Sequence, residues 1–320
     1  MLFDQHTIML APMAGITDAV FRSLCIEKGA NMTFTEMVSA KGLSYANAKT
    51  QHLLELAPNE SLVSVQIFGH EPDTMAHQAQ WIEHMLEDKL FSLNINMGCP
   101  AKKIASKGDG SALMRDPSLA AEIIRAVSSA VSVPVTVKFR RGYELNHDTS
   151  LSFARMAEAS GAAGVIIHGR YAQQFYRGEA DWDCIARAKE ALCIPVVGNG
   201  DVVDGKSAQA LIAHTNCDAV MVGRAAQGNP WVFRDIASVL TTGKSIPLPT
   251  VKERMDLACK HALLLSRKEG SIIIKMRKHA MSYVTGLPKA TELRQAITSA
   301  STYEDFEKIF SHALSLSLRD

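Results

Sequence analysis

The chain has 320 residues, of which 47% are hydrophobic and 21% charged, and its formal net charge is +1. This composition is that of a globular protein with a large core, and the near-zero charge excludes a protein that is basic over its whole surface. No apolar run approaches the ~18–20 residues of a membrane span, and the start, MLFDQHTIMLAPM, does not resemble a signal peptide. The six cysteines are scattered without a C-x-x-C pair, which disfavours a disulfide scaffold or a zinc site and favours the cytoplasm.

Eight short runs rich in branched aliphatic residues predict β-strands. They are residues 8–13, 32–37, 62–69, 91–98, 133–139, 163–169, 194–200 and 218–223. Most are almost continuously apolar, which is typical of strands buried on both faces. Stretches with helical spacing separate most of the runs; examples are 73–87, 117–130, 150–160 and 205–214. Asp116, followed by a proline, is the expected N-cap of the second of these helices.

Eight alternations of strand and helix over about 235 residues predict an α/β fold, the (β/α)₈ TIM barrel. A doubly wound open sheet is the alternative, and the absence of G-x-G-x-x-G after the first strand disfavours it. We assign residues 1–240 to the barrel and 251–320 to a small helical domain. Residues 241–250, with two prolines, form the expected linker.

The helical domain carries a local excess of positive charge. Nine Lys and Arg residues but only three Asp and Glu residues lie between Lys252 and Lys289, a net charge of +6. Two interpretations remain open. The excess is either a solvated helix face or a surface that binds the phosphate backbone of a nucleic acid.

Polar residues stand where the predicted strands end, and in a TIM barrel those ends build the active site. They are Gln66, Asn94, Asn96, Cys99, Lys138, Arg140, His168, Asn199, Asp201 and Arg224. Gln66 and His168 could be hydrogen-bonded core residues, but a lysine within VPVTVKF is costly to bury without an anionic partner. The glycines and the arginine at the ends of the last two strands indicate a phosphate site.

Two chemistries fit a phosphorylated ligand beside Lys138. The first is a Schiff-base lyase in which Lys138 is the nucleophile. The second is a flavin oxidoreductase, in which the phosphate belongs to FMN while Lys138 and His168 stabilise negative charge on the reduced ring. Only the second chemistry has clear roles for Gln66 and Cys99.

The sequence also resembles a known family. The motifs are APMAGITD (11–18), VQIFG (65–69), NINMGCPAKK (94–103), GSALM (110–114), VPVTVKFR (133–140), HGR (168–170), GNGD (198–201) and VGRAAQGNPWVF (222–233). They are similar to those of the tRNA-dihydrouridine synthases, most closely the bacterial B-type branch, through the barrel and into the tail. The resemblance implies an enzyme that binds FMN, reduces it with NADPH, and then reduces the 5,6 double bond of uridine in the tRNA D-loop.

Carried over residue by residue, the resemblance implies three groups of site residues. Those that hold FMN would be Pro12, Met13, Ala14, Gln66, Lys138, His168, Asn199, Gly200, Asp201, Gly223 and Arg224. Cys99 would be the general acid that gives a proton to uracil C5 after hydride passes from flavin N5 to C6. Those that meet the substrate would be Asn96 at the uracil, Arg140 steering the tRNA, and Lys275, Arg277 and Lys278 at its backbone. The target nucleotide must leave its stack to reach the flavin.

Asp109, Tyr143 and Tyr171 depart from the family pattern, and they leave open which uridine is modified. We expect a cytoplasmic monomer that binds tRNA, with no metal and no membrane association. Two other classes of protein remain as alternatives. An FMN-dependent barrel reductase of a small enone or pyrimidine would leave the basic tail unexplained, and a non-catalytic tRNA-binding protein would not need Cys99 together with the flavin set.

Overall fold

One sheet of parallel strands closes into a barrel in the computed structural model, which describes residues 2–318. The strands are β1 (Ile8–Leu10), β2 (Met32–Thr33), β3 (Val38–Ser39), β4 (Val63–Phe68), β5 (Leu90–Met97), β6 (Val135–Gly142), β7 (Gly164–Tyr171), β8 (Val196–Asn199) and β9 (Ala219–Val222). They pair in the order β2-β1-β9-β8-β7-β6-β5-β4-β3. Phe34, directly after β2, forms a parallel bridge to Ser64 of β4, which closes the ring. The predicted eight-stranded barrel is confirmed, with its second strand divided into β2 and β3.

Helices follow the strands around the barrel and continue beyond it. They are α1 (Ala19–Glu27), α2 (Ala40–Ser44), α3 (Ala48–Gln51), α4 (Pro72–Leu86), α5 (Lys102–Ala105), α6 (Pro117–Ala130), α7 (Ser150–Ala159), α8 (Asp183–Ala191), α9 (Gly205–Thr215), α10 (Val232–Thr242), α11 (Val251–Glu269), α12 (Met276–Tyr283), α13 (Ala290–Ser299) and α14 (Tyr303–Ser317). Helix α6 begins as predicted, because the carboxylate of Asp116 accepts a hydrogen bond from the N–H of Leu119 at 3.1 Å. Within residues 2–318, no helix combines the length and the apolar character needed to cross a membrane.

The predicted second strand, 32–37, is interrupted in the structure. The hydroxyl of Thr35 donates to the carbonyl of Glu36 at 2.8 Å and accepts a hydrogen bond from the N–H of Gln66 at 3.1 Å. The carboxylate of Glu36 accepts a hydrogen bond from the N–H of Gly15, in the loop after β1. The N–H of Thr35 still donates to the carbonyl of Ser64 at 3.0 Å, so the backbone ladder to β4 is interrupted only after Thr35, and it resumes at Val38.

Side chains alternate between the two faces of each strand, so every second residue points into the barrel. On β5 the polar residues Asn94 and Asn96 share one face, and on β6 Thr136 and Lys138 do so. An apolar cluster that includes Ile166 packs beside them in the interior. The last inward-pointing residue of each strand is thereby presented at the carboxyl-terminal end of the barrel.

Helices α11–α14 share a second apolar cluster outside the barrel. Helix α11 begins at Val251, where Thr250 and Glu253 exchange the hydrogen bonds of a capping box. The cluster also includes Val20 and Leu24 of α1, so these helices pack against the barrel. Helix α10 ends two residues beyond position 240, and the division into domains stays a prediction.

Candidate active site

A cavity of about 900 Å³ opens at the carboxyl-terminal ends of the strands. Sites for small molecules and cofactors typically measure roughly 300–1,000 Å³. The lining includes Pro12, Met13, Ala14, Gln66, Asn96, Cys99, Lys138, Arg140, His168, Asn199, Gly200, Asp201, Gly223 and Arg224. The structure thus brings together all the predicted site residues of the barrel, while their contacts with a cofactor or substrate stay predictions. The predicted tail residues are not part of this lining.

The register of the strands explains why these side chains meet. Asn96 pairs with Lys138 across β5 and β6, and Arg140 pairs with His168 across β6 and β7. His168 in turn pairs with Asn199 of β8. Because paired residues of parallel strands stand at the same height and point the same way, four neighbouring strands place their last polar side chains side by side.

Amide side chains form a continuous chain of hydrogen bonds across β4, β5 and β6. Asn96 Nδ2 donates to Gln66 Oε1 at 2.7 Å, and Gln66 Nε2 donates to Asn94 Oδ1 at 2.7 Å. Asn94 Nδ2 then donates to Thr136 Oγ1 at 2.8 Å. All four residues are buried, and a satisfied polar network of this kind holds each amide in one orientation.

Asn96 also positions the loop that carries Cys99. Its Oδ1 accepts hydrogen bonds from the N–H groups of Gly98 (3.2 Å) and Cys99 (3.0 Å). Both ends of the Asn96 amide therefore have partners within the protein, whereas the resemblance implied that Asn96 faces the uracil. The residue Cys99 is partly exposed and lines the cavity, so a substrate can reach it.

Lys138 is the central cation of the cavity. Its Nζ donates to Asn199 Oδ1 at 2.9 Å. Burial, assisted by the guanidinium of Arg140, lowers the pKa of Lys138 to about 7. Burial, followed by the charges of Arg140 and Lys138, lowers the pKa of His168 well below its ordinary value, so its imidazole is neutral at pH 7. A pKa lowered in this way indicates positive charge that lacks a counter-ion, which favours an anionic ligand.

The loop after β8 has the most constrained backbone of the site. Gly200 has a φ of +120°, and a Cβ at this position would lie 2.7 Å from the side chain of Ala180, so only glycine fits without displacement. Asp201 accepts two hydrogen bonds from Arg170, at 2.7 and 2.8 Å. The guanidinium of Arg224 lies 3.3 Å from the same carboxylate and is half exposed, so it remains accessible from the cavity.

Arg140 is buried, at 3% exposure, which differs from the expected position where it would steer tRNA. Its guanidinium donates to the carbonyls of Gly98 (2.9 Å), Tyr171 (3.1 Å) and Phe175 (2.8 Å). These bonds tie the loop that carries Cys99 to the loop after β7. Arg140 therefore joins two loops of the site in this structure, and a role toward tRNA stays a prediction.

Two aromatic residues of the cavity were not predicted. Phe175 and Tyr176, in the loop after β7, both line it. The ring centroid of Tyr176 lies 4.9 Å from the guanidinium carbon of Arg224 and 5.7 Å from that of Arg140, in cation–π geometry. Since the loops after barrel strands carry site residues, the adjacent Phe and Tyr in this loop were a usable signal.

Comparison with known protein families agrees with this geometry. The family model described as dihydrouridine synthase matches residues 9–317, nearly the whole chain. The chain belongs to the dihydrouridine synthase family.

Curated relatives match over most of their own length as well. A protein of Xanthomonas axonopodis pv. citri named tRNA-dihydrouridine synthase B is 39% identical over 298 residues, which are 92% of this chain and 89% of the relative. A Shewanella oneidensis protein with the same name is 37% identical over 311 residues, 96% of each chain. A probable tRNA-dihydrouridine synthase of Rickettsia bellii is 38% identical over 296 residues, 92% of this chain and 90% of the relative. The resemblance inferred from the motifs is confirmed.

The three departures from the dihydrouridine synthase pattern all have contacts within the protein. Asp109 is buried, and its Oδ1 lies 2.7 Å from Nδ1 of His70. Guanidinium groups lie over the rings of Tyr143 (5.1 Å) and Tyr171 (4.7 Å). None of these three side chains belongs to the lining of the cavity, so the predicted flavin set is intact.

The tail residues that the dihydrouridine synthase resemblance implies at the tRNA have unequal surroundings. Lys275 Nζ lies 3.1 Å from the carboxylate of Asp18 and also contacts the carboxylate of Glu269. Arg277 donates to the carbonyl of Ala300 at 2.6 Å. Lys278 is exposed and forms no ion pair with any residue between 2 and 318. Arg277 also has no carboxylate partner among the described residues, but of the three only Lys278 is exposed, so its charge is the most accessible to a phosphate.

Proposed function

We propose that this protein reduces uridine in the D-loop of tRNA to dihydrouridine, with FMN bound in the barrel cavity and NADPH as the reductant. The proposal rests on one observation: Cys99, Lys138 and Arg224 line the same cavity. The names of relatives that span nearly the whole chain support tRNA as the substrate. A Schiff-base lyase, the other chemistry open to Lys138, would leave Cys99 without a role.

The residues of the cavity fit FMN. Gly200 holds the loop after β8 at a φ of +120°, where a Cβ would overlap Ala180 and His168, so glycine fixes the shape of this wall of the cavity. Arg224 offers accessible donors to a phosphate, and Lys138 offers positive charge to the pyrimidine end of the ring. The lining at the end of β1, Pro12–Ala14, is compatible with an apolar ring edge. Bound FMN would supply the hydride for C6 as the 5,6 double bond of the uracil is reduced, with NADPH as the source of the electrons.

The chain's own residues complete the reduction. Cys99 gives its S–H proton to C5 of the uracil, and its partial exposure lets it regain a proton from solvent. Asn96 holds the backbone at Cys99, which fixes the thiol relative to the cavity. A proton donor positioned in this way typically accelerates a reaction by ~10²–10⁴-fold.

The test is the visible spectrum of the purified protein under anaerobic conditions, with NADPH added first and an unmodified tRNA transcript second. We expect flavin absorption that bleaches with NADPH and returns with tRNA. Cys99→Ala should leave the bleaching unchanged and slow the return by ~10²–10⁴-fold. Cys193→Ala, at an exposed free cysteine away from the cavity lining, should change neither step.

Other outcomes would change the proposal. A bleached flavin that does not respond to tRNA would favour a reductase of a small enone or pyrimidine. A protein that binds no flavin, even after FMN is added, would overturn the oxidoreductase and return Lys138 to the role of nucleophile.

The proposal includes a monomer in the cytoplasm. All six cysteines are free, which is the ordinary state in a reducing compartment. Sedimentation of the purified protein, alone and with tRNA, tests the oligomeric state.

A further inference from the structure

The loop that begins at Cys99 is attached to the neighbouring βα turn by a pair of side chains that the mechanism above does not use. Nδ1 of His70, in the turn between β4 and α4, lies 2.7 Å from Oδ1 of Asp109. Asp109 is 7% exposed although it is an aspartate in a loop. Burial of a carboxylate is costly unless it has a partner, and His70 is that partner.

The segment 109–111 is in direct contact with Cys99. The N–H of Ser111 donates to the carbonyl of Cys99 at 3.1 Å. Gly110 has a φ of +60°, and a Cβ there would lie 2.9 Å from the carbonyl oxygen of Cys99 and 3.2 Å from its Cβ. A displacement of Asp109 would therefore be transmitted to Cys99 through its two following residues.

The two ends of this loop are held in different ways. At its beginning, Asn96 fixes the N–H of Cys99 from within the barrel. Between the ends, Lys102, Lys103 and Lys107 are exposed, so much of the middle of the loop faces solvent. At its far end, the contact of Asp109 with His70 connects the loop to the βα turn.

We propose that His70 and Asp109 are positioning residues of the reaction, which hold the loop so that the thiol of Cys99 reaches the uracil. This inference rests on the proposed role of Cys99 as the proton donor. Neither His70 nor Asp109 lines the cavity that contains Cys99, so they act through the loop rather than on the reacting atoms. Both border a second cavity, of about 710 Å³, on the outer side of the loop.

The first test separates the two half-reactions in Asp109→Ala and His70→Ala. At saturating tRNA we expect the return of flavin absorption to slow by about tenfold, because a misplaced proton donor loses part of its effect. Bleaching by NADPH and the half-saturating tRNA concentration should stay unchanged, which a general loss of structure would not produce. Asp109→Asn keeps a side-chain oxygen that accepts a hydrogen bond from His70, and it should restore most of the rate.

The matched control is Asp88→Ala, an exposed aspartate just before β5, at the opposite end of the barrel. It should leave both half-reactions at the level of the unaltered protein. If Asp109→Ala does not fold, His70→Ala tests the proposal by itself. It removes the same contact, and because the His70 side chain is 37% exposed, its truncation should leave the fold intact.

The second test does not need tRNA. Iodoacetamide should alkylate Cys99 at least threefold faster in Asp109→Ala and His70→Ala, with the exposed Cys193 as the internal reference in the same digest. Variants that leave both the reoxidation rate and the alkylation rate unchanged would overturn the inference. If tRNA fails to reoxidise the flavin of the unaltered protein, the proposed function falls, and the alkylation rates alone decide the positioning role.

Discussion

The carboxyl-terminal end of the barrel and the helical region α11–α14 differ in what their basic side chains contact. In the barrel, Lys138 and Arg224 line a cavity, and the lowered pKa of Lys138 indicates charge without a counter-ion. In the helical region, Lys260, Lys268 and Lys275 pair with carboxylates of the barrel at 2.6–3.1 Å. Basic residues at strand ends thus line a cavity, whereas a larger number on helices serves in part to attach one region to the other.

The comparison changes the interpretation of the +6 charge in the tail. The sequence left a solvated face and a phosphate-binding surface as alternatives. The structure adds a third role, because some of the basic residues form ion pairs with acidic residues of the barrel. Arg267 and Lys278 remain exposed and keep their charge available to a nucleic acid. The positive surface that the tail leaves unpaired is therefore smaller than the count of basic residues indicates.

The largest expected effect concerns the buried interface between the helical region and α1. The ring of His279 packs 5.0 Å from that of Phe21 and 4.3 Å from that of His261, and burial lowers the pKa of His279 to about 4. The imidazole of His279 takes up a proton near pH 6.5 in the unfolded chain but only near pH 4 in the folded protein. The free energy of unfolding is therefore highest above pH 6.5 and decreases as the pH falls toward 4. The loss corresponds to about 3 kcal/mol in the free energy of unfolding, which urea titrations between pH 7.5 and 4 would measure.

Two variants show whether this dependence belongs to the interface. His279→Leu should flatten the pH dependence in part, with the rest due to His261, whose pKa burial also lowers. His312→Leu, at an exposed position of α14, should leave it unchanged. An identical slope in His279→Leu would mean that the buried imidazole does not govern the attachment of the helices.

The next effect concerns the cavity. Gly200→Ala should weaken FMN binding by roughly 10–100-fold, because the free protein moves this loop to relieve the overlap with Ala180, and binding FMN must restore a conformation strained by about 1–3 kcal/mol. Titration of the cofactor-free protein with FMN, followed by flavin fluorescence, measures it. Gly243→Ala is the matched control: its φ is +72°, and in the described chain no atom lies within 4 Å of the added Cβ. It should cost stability without changing FMN affinity, and equal FMN affinity in both variants would contradict the role of Gly200.

The smallest effect sharpens the comparison within the tail itself. Lys278→Gln should lower tRNA affinity a few-fold and reduce the slope of log K against log salt by somewhat less than one, because one phosphate contact is lost. Lys275→Gln should instead lower the free energy of unfolding by about 1 kcal/mol, because its ion pairs with Asp18 and Glu269 are lost. Filter binding over a range of salt concentrations and urea unfolding measure the two effects.

Lys308→Gln, at an exposed lysine of α14, is the control for both variants. Loss of tRNA affinity in Lys275→Gln equal to that in Lys278→Gln, at full stability, would break the distinction drawn here. It would mean that a paired lysine leaves its carboxylates to bind the substrate.

The sequence by itself determined the barrel, the beginning of α6 and the place of the site. Runs of apolar residues and helical spacing are local patterns, and Asp116 caps its helix through a contact three residues away. The residues that line the cavity were predictable because the carboxyl ends of barrel strands meet at one end of the fold, whatever the helices do. The motif around Cys99 added the chemistry that spacing alone left open.

Only the tertiary structure decided which polar groups already have partners. Arg140 is buried because two loops that are distant in the chain cover its guanidinium, which donates hydrogen bonds to the carbonyls of Gly98 and Phe175. Lys275 forms an ion pair with Asp18, which lies more than 250 positions earlier in the chain. Contacts of this kind depend on how separate elements pack, and no pattern within a short window of sequence contains that information.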